Sequence, residues 1–157
     1  MSVQSDYGLG AEGYLSYIRK LKKEAESLRR RIRRRTKDAE TLRATDYSAV
    51  RVSGGMPVTL ADKVASIQGD VARLDDKLAR IARLTHGAVV LIDKLNDPYH
   101  RIVLSEYYLD GATVDEIAGA MGMTSRNLAR IKVEALHEFE KIYESCQSMS
   151  FNVTHNL

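Results

Sequence analysis

From Tyr14 to Thr45 the chain contains neither glycine nor proline, and its apolar residues step by four and three without a slip. Tyr14, Ile18, Leu21, Ala25, Leu28, Ile32, Ala39 and Leu42 form this seam, with Arg35 as its one interruption. So narrow a stripe predicts a long helix whose apolar edge must be covered by another helix, because a polar helix buries too little area to hold itself. A second seam follows in Leu60, Val64, Ile67, Val71, Leu74, Leu78, Ile81, Thr85, Ala88, Ile92 and Leu95. Thr59 is its expected N-cap, with Asp62 answering from the third position. Gly69 and Gly87 weaken the second helix, and His86-Gly87 is a candidate bend. Residues 46–59, with Gly54-Gly55 and Pro57, form a connecting loop. Two helices of about 50 Å each, joined in this way, are most economically paired as an antiparallel hairpin, seam against seam. Pairing of like helices across a parallel dimer is the competing arrangement. Two thin seams bury less than an ordinary core, so further pairing as a homodimer through the hairpin is expected.

The remainder is read from its punctuation. Residues 1–12 form a loose polar leader. Asp97 or Asn96 caps a helix that begins at Pro98, runs to about Leu109, and stops at Asp110-Gly111. Thr113, with Glu116 three residues on, caps a short helix from Val114 to Met121. Gly122 makes the turn, and Thr124 or Ser125 caps a last helix to about Tyr143, leaving 145–157 as a polar tail. The expected fold is therefore all-α: a coiled-coil-like hairpin over residues 13–95, then a helix-turn-helix module over 96–144. Two prolines, no tryptophan and 6% aromatic residues argue against a β-sandwich or barrel. A single cysteine excludes a disulfide framework and any Cys-based zinc cage. No apolar run approaches the ~20 residues of a membrane span, and Met1–Asp6 lacks the features of a signal peptide. The expectation is a cytoplasmic protein of a bacterial host cell, with no membrane partner and no cofactor.

Thr113 to Leu136 reads TVDEIAGAMGMTSRNLARIKVEAL. Ile117, Ala118 and Met121 share one face of the short helix, and Ala118 is small where two helices must cross. Gly122 supplies a left-handed turn residue, and Met123 fills the space beneath it. Leu128, Ile131, Ala135 and Leu136 give the following helix an inner face. Its outer face near the N-terminus is then Ser125, Arg126, Asn127, Arg130 and Lys132, with three cations and no anion. Arg can bond guanine bidentately and Asn can bond adenine, so Arg126, Asn127 and Arg130 are the candidate base readers. Thr113, Thr124, Ser125 and Lys132 are the candidate phosphate contacts, assisted by the helix N-terminus.

This segment resembles the fourth region of bacterial sigma factors over an ungapped T-x-x-E-I-A-x-x-M-G-M-T-x-x-x-L-x-R-I-x-x-x-A-L of 24 residues. More broadly, residues 14 to 143 resemble a phage family of sigma-like transcriptional regulators. These combine a basic helical N-terminal part, a middle like Gly55-Met-Pro-Val-Thr-Leu-Ala-Asp-Lys-Val-Ala65, and a sigma-like helix-turn-helix. The resemblance implies sequence-specific binding of double-stranded DNA, acting on or with host RNA polymerase at phage or prophage genes, typically late ones. It also places Ser125, Arg126, Asn127 and Arg130 on the family's base-contacting face. Arg126 stands where sigma recognition helices usually carry an acid, so their promoter preference does not carry over. No promoter-melting cluster of aromatics is present, which favours an activator or accessory regulator over a free-standing sigma factor.

Charge is unevenly distributed. Residues 13–45 hold twelve Lys and Arg against four Asp and Glu, whereas residues 98–144 hold five against eight. A module of net −3 neutralises few phosphates by itself, so an auxiliary basic surface is expected at Arg29, Arg30, Arg31, Arg33, Arg34 and Lys37. The same run could instead be a solvated face pairing with Asp62, Asp70, Asp75 and Asp76 of the second helix. Tyr107 and Tyr108 read as core residues rather than stacking platforms. His86, His100, His137 and His155 lack ligand spacing, and Cys146 lacks a partner motif. There is no paired acid and base, nucleophile elbow, phosphate loop or dinucleotide fingerprint, so no enzyme is expected. Two other readings share these features: a small terminase-like DNA-packaging subunit, and a coiled-coil adaptor that never touches DNA.

Overall fold

In the computed structural model the described residues are 10–45 and 59–154, and all their regular secondary structure is helical. α1 is Ala11–Thr45, α2 Leu60–Ile92, α3 Pro98–Leu104, α4 Val114–Ala120 and α5 Ser125–Thr154. A π-helical segment, Ser105–Asp110, continues α3. The expected turn at Gly54-Gly55 and Pro57, residues 55–58 of the Gly55–Ala65 stretch, residues 1–9 of the leader and His155 lie outside the described residues. No helix is long and apolar enough to cross a membrane among the described residues.

Local chemistry accounts for most helix starts. Thr59 N donates to Asp62 Oδ2 at 3.0 Å while Asp62 N donates to Thr59 Oγ1 at 3.2 Å, a reciprocal cap that opens α2. The Thr59 hydroxyl, donating to Asp62 Oδ2 at 2.7 Å, and then the Thr59 N–H hold the Asp62 carboxyl below its usual 3.8. Asp97 accepts from Tyr99 N at 2.7 Å, and Pro98 occupies the first turn of α3, where a missing N–H costs nothing.

Three boundaries differ from the sequence expectation. Ala11 and Glu12 already belong to α1, because Tyr14 N bonds back to Gly10 O. The expected regular helix from Pro98 to Leu109 gives way to the π-helical segment, whose wider turn lets consecutive residues Tyr108 and Leu109 both be buried. α5 runs on to Thr154 instead of ending near Tyr143, since neither glycine nor proline interrupts it.

The chain divides into two units, and the division falls inside both long helices: one unit runs to Lys20 and resumes at Ala82, the other is Leu21–Ile81. In the first unit, Leu15 and Ile18 of α1, Ala88 and Ile92 of α2, Leu104, Tyr108, and Ala135 and Phe139 of α5 form one buried cluster. A second cluster joins Val103, Ile117, Ala118 and Leu128 beneath the turn at Gly122. Leu15 and Phe139, both at 0% exposure, stand outside the seams read from the sequence. α2 continues as helix through His86-Gly87. Gly87 serves close approach: a Cβ there would lie 2.9 Å from Tyr14 Oη, which donates to Leu84 O at 2.7 Å. Burial pushes the Tyr14 phenol up to about 12, with Tyr143 adding to the shift.

In the second unit, partners fall on α2 as they rise on α1. Glu24 meets Lys77 at 2.8 Å, Arg31 meets Asp70 at 3.3 Å, and Arg35 meets Asp70 at 2.7 Å and Ser66 at 3.0 Å. The two segments are therefore antiparallel, with Arg35 on the seam reaching a carboxylate. Asp70 is 3% exposed.

Candidate nucleic-acid interface

Thr113 and Glu116 form the reciprocal cap expected of them. Thr113 N donates to Glu116 Oε2 at 2.7 Å and Glu116 N donates to Thr113 Oγ1 at 3.3 Å. The bonds from Thr113 hold the Glu116 carboxyl below its usual 4.5. At the other end of α4, Gly122 has φ +65°, and Met123 N donates to Ala118 O at 2.9 Å. This left-handed residue reverses the chain without the strain that a Cβ would add. Thr124 then caps α5 by accepting from Asn127 N at 3.2 Å.

α5 is anchored by Leu128 and Ala135, which are 1% and 0% exposed, with Ile131 half-buried between them. Arg126 and Arg130 lie on the opposite side and Asn127 on the adjoining flank; all three are exposed, and a hydrogen bond joins Asn127 to Arg130. Arg126 has no hydrogen-bond or ion-pair partner among the described residues. The Arg130 guanidinium donates to Asn127 Oδ1 at 3.1 Å and pairs with Glu134 at 2.7 Å. That pair is an open surface contact, with side-chain exposures of 66% and 47%. Such pairs contribute only ~0.3–0.5 kcal/mol, so Glu134 holds the Arg130 guanidinium weakly.

The candidate phosphate contacts are more committed. Thr113 and Thr124 spend their hydroxyls on the caps. The Ser125 hydroxyl is half-buried and donates to Asp115 Oδ1, which ties the starts of α4 and α5 together. Lys132 is half-buried, with its ammonium 4.1 Å from the centre of the Tyr107 ring. Arg19 lies 4.0 Å from the same centre and donates to Tyr107 O and to Ala112 O. Two cations on one ring brace the platform that carries α5. Sequence reasoning overlooked Arg19 and Asp115. Arg19 is one of many basic residues of α1, and nothing local marks it; Asp115 reads simply as a first-turn acid.

The auxiliary cations Arg29, Arg30, Arg31, Arg33, Arg34 and Lys37 are exposed on the part of α1 that belongs to the second unit. Arg31 is committed to Asp70, and Arg30 pairs with Glu26 at 3.3 Å. Asp62 pairs with Thr59 instead of an arginine. Elsewhere His100 Nδ1 lies 2.7 Å from Glu138 Oε2, and Asn96 N donates to Glu138 Oε1 at 2.9 Å. Cys146 Sγ accepts from Lys94 Nζ at 3.3 Å. No group of His, Cys, Asp and Glu able to hold a metal ion occurs among the described residues.

No family model matches the chain, and no curated protein or solved structure matches it.

Proposed function

We propose that residues 13–95 are a coiled-coil-like antiparallel hairpin, that 96–144 are a helix-turn-helix module of the sigma region-four kind, and that the chain is a sequence-specific DNA-binding regulator of phage or prophage genes. In this reading α5 enters the major groove, and Arg126, Asn127 and Arg130 meet base edges. The observation that carries it is the pairing of a buried inner face, Leu128 and Ala135, with an exposed outer face of two arginines and an asparagine on the first turns of the same helix. Phosphates are met at the capped starts of α4 and α5, where Thr113, Thr124 and Ser125 lie. Lys132 contributes by bracing Tyr107 and lending positive charge.

A module of net −3 binds duplex weakly when it acts alone, so in this reading the auxiliary cations of α1 supply further charge, and bacterial RNA polymerase is an additional partner. Leu60, Val64 and Val71, seam residues that are 38–42% exposed, offer the surface for a homodimer. Genome-wide footprinting of the expressed protein identifies its site, and anisotropy titrations on that site then test the readers. Arg130→Ala is expected to weaken binding by about 1–3 kcal/mol and to relax one base position. An unchanged footprint and affinity in both Arg126→Ala and Arg130→Ala would remove the basis of the reading.

A further inference from the structure

The second unit has two unlike flanks. Helical periodicity puts Glu24 and Arg31 on one side of the α1 seam, with Arg35 on the seam itself, and Lys22, Arg29 and Arg33 on the other side. The first side is closed by complementary charge across the two helices, through Lys77 on Glu24 and through Asp70 beneath Arg31 and Arg35. The second side is an open groove of about 510 Å³. Its floor is Ala25, Leu78 and Ile81, of which Leu78 is half-buried and the other two buried; Lys22, Arg29, Arg30 and Arg33 stand around it with a single acid, Glu26, which Arg30 pairs. Neither Arg29 nor Arg33 has an ion-pair partner among the described residues, and both are exposed.

A phosphate strand would use these cations but has no use for an apolar floor. An amphipathic helix uses both. Its apolar ridge, repeating every three to four residues, fills the floor, and carboxylates beside the ridge meet cations spaced at whole turns. A third helix also completes what a two-helix unit cannot supply by itself, because Leu78 is left half-buried and Leu74 likewise. The excess of positive charge on this rim selects the sign of the partner.

We propose that the open flank of the second unit, floored by Ala25, Leu78 and Ile81 and rimmed by Arg29 and Arg33, docks an acidic amphipathic helix of a partner protein. The proposal goes beyond the DNA reading: it leaves the candidate base readers untouched and assigns Arg29 and Arg33, two of the six auxiliary cations, to a protein partner. Together the two halves make a bridge, in which a tethered partner raises the local concentration of a weakly binding DNA module.

The test uses the full chain and a labelled peptide probe of about 21 residues, roughly 30 Å as a helix, with Leu on the seam and Glu beside it. A second peptide has Lys in place of every Glu. Wild-type protein is expected to bind the Glu peptide and not the Lys peptide. The double variant Arg29→Gln, Arg33→Gln is expected to weaken binding at least about tenfold. The variant Lys23→Gln, Arg34→Gln, with equal charge removed from the outer face, is expected to stay within about twofold. Equal loss in the two variants would mean charge without a docking groove, and would overturn the proposal. The same proteins are titrated with duplex DNA of arbitrary sequence at several salt concentrations, where an unchanged slope supports a protein partner. A slope reduced by about two in the Arg29, Arg33 variant would assign the rim to phosphates instead. Loss of a sedimenting dimer in that variant would make a second copy of the chain the occupant, and would likewise overturn the proposal.

Discussion

α1 and α2 run through both units, and the same seam has two fates. In the first unit Tyr14 and Ile18 are 3% and 0% exposed, and Ala88 and Ile92 are 0% and 1%. In the second unit Leu21, Ala25, Leu28, Ala39 and Ile81 are buried, but Ile32, Ile67 and Leu74 are only half-buried, and Leu42, Val64 and Val71 are 42%, 42% and 39% exposed. The difference is the number of elements meeting at the seam. α3, the π-helical segment and α5 pack around the first stretch and close its core, whereas the second stretch has only its antiparallel neighbour. A heptad pattern therefore specifies which edge is apolar, and burial depends on what else arrives. Where apolar contact is thin, a buried carboxylate supplies specificity: Asp70, shared by Arg31 and Arg35, favours one register of α1 on α2.

The comparison makes its sharpest claim for core truncation. Phe139→Ala removes a fully buried ring and is expected to cost about 3–5 kcal/mol, whereas Val71→Ala is expected to cost under about 1 kcal/mol. Urea denaturation followed by circular dichroism measures both, and similar shifts in midpoint would erase the contrast. Next in size is Asp70→Asn. It removes the charge beneath two guanidinium groups that are themselves 46% and 45% exposed, so the loss is expected near about 1.5 kcal/mol, the lower end for charged bonds. The register is checked by a disulfide engineered between α1 and α2, which should form in the wild type and more slowly in the variant.

Smaller still is a cycle at the closest approach in the first unit. Tyr14→Phe removes the bond to Leu84 O and is expected to cost about 1 kcal/mol. Gly87→Ala is expected to destabilise the wild type, where its methyl meets the Tyr14 hydroxyl, and to stabilise the Tyr14→Phe protein by up to about 1 kcal/mol through helix propensity. Additive effects would show that the contact is not the reason for the glycine. The smallest effect is expected at Glu138, whose carboxyl is held below its usual 4.5, first by Asn96 N–H and then by His100. Its stabilisation is present in full above the ordinary value and disappears as pH falls through the lowered one. The difference in melting temperature between wild type and Glu138→Gln should thus be constant near neutral pH and close below about pH 4.

Much of the candidate interface is legible in the sequence. Arg126 and Arg130 fall opposite Leu128 and Ala135 by helical periodicity alone, with Asn127 on the flank between the two faces, and their exposure follows from it. Lys132 does not share that outer face. It stands four residues from both Leu128 and Leu136, so strict periodicity sets it beside the inner face, away from Arg126 and Arg130, and its ammonium lies over the Tyr107 ring. Ser125 is not legible in this way, because its hydroxyl bonds to Asp115 on a different helix.

Sequence alone therefore determined what neighbours three or four residues apart can decide: both seams, the caps at Thr59, Asp97 and Thr113, and the turn at Gly122. Those features rest on hydrogen bonds and backbone preferences within one turn of chain. Only the tertiary structure decided the burial of Phe139 and Asp70, the close approach of Tyr14 to Gly87, and the division of the arginines between a closed flank and an open one. Each of these depends on a partner dozens of residues away, and no local pattern carries that information.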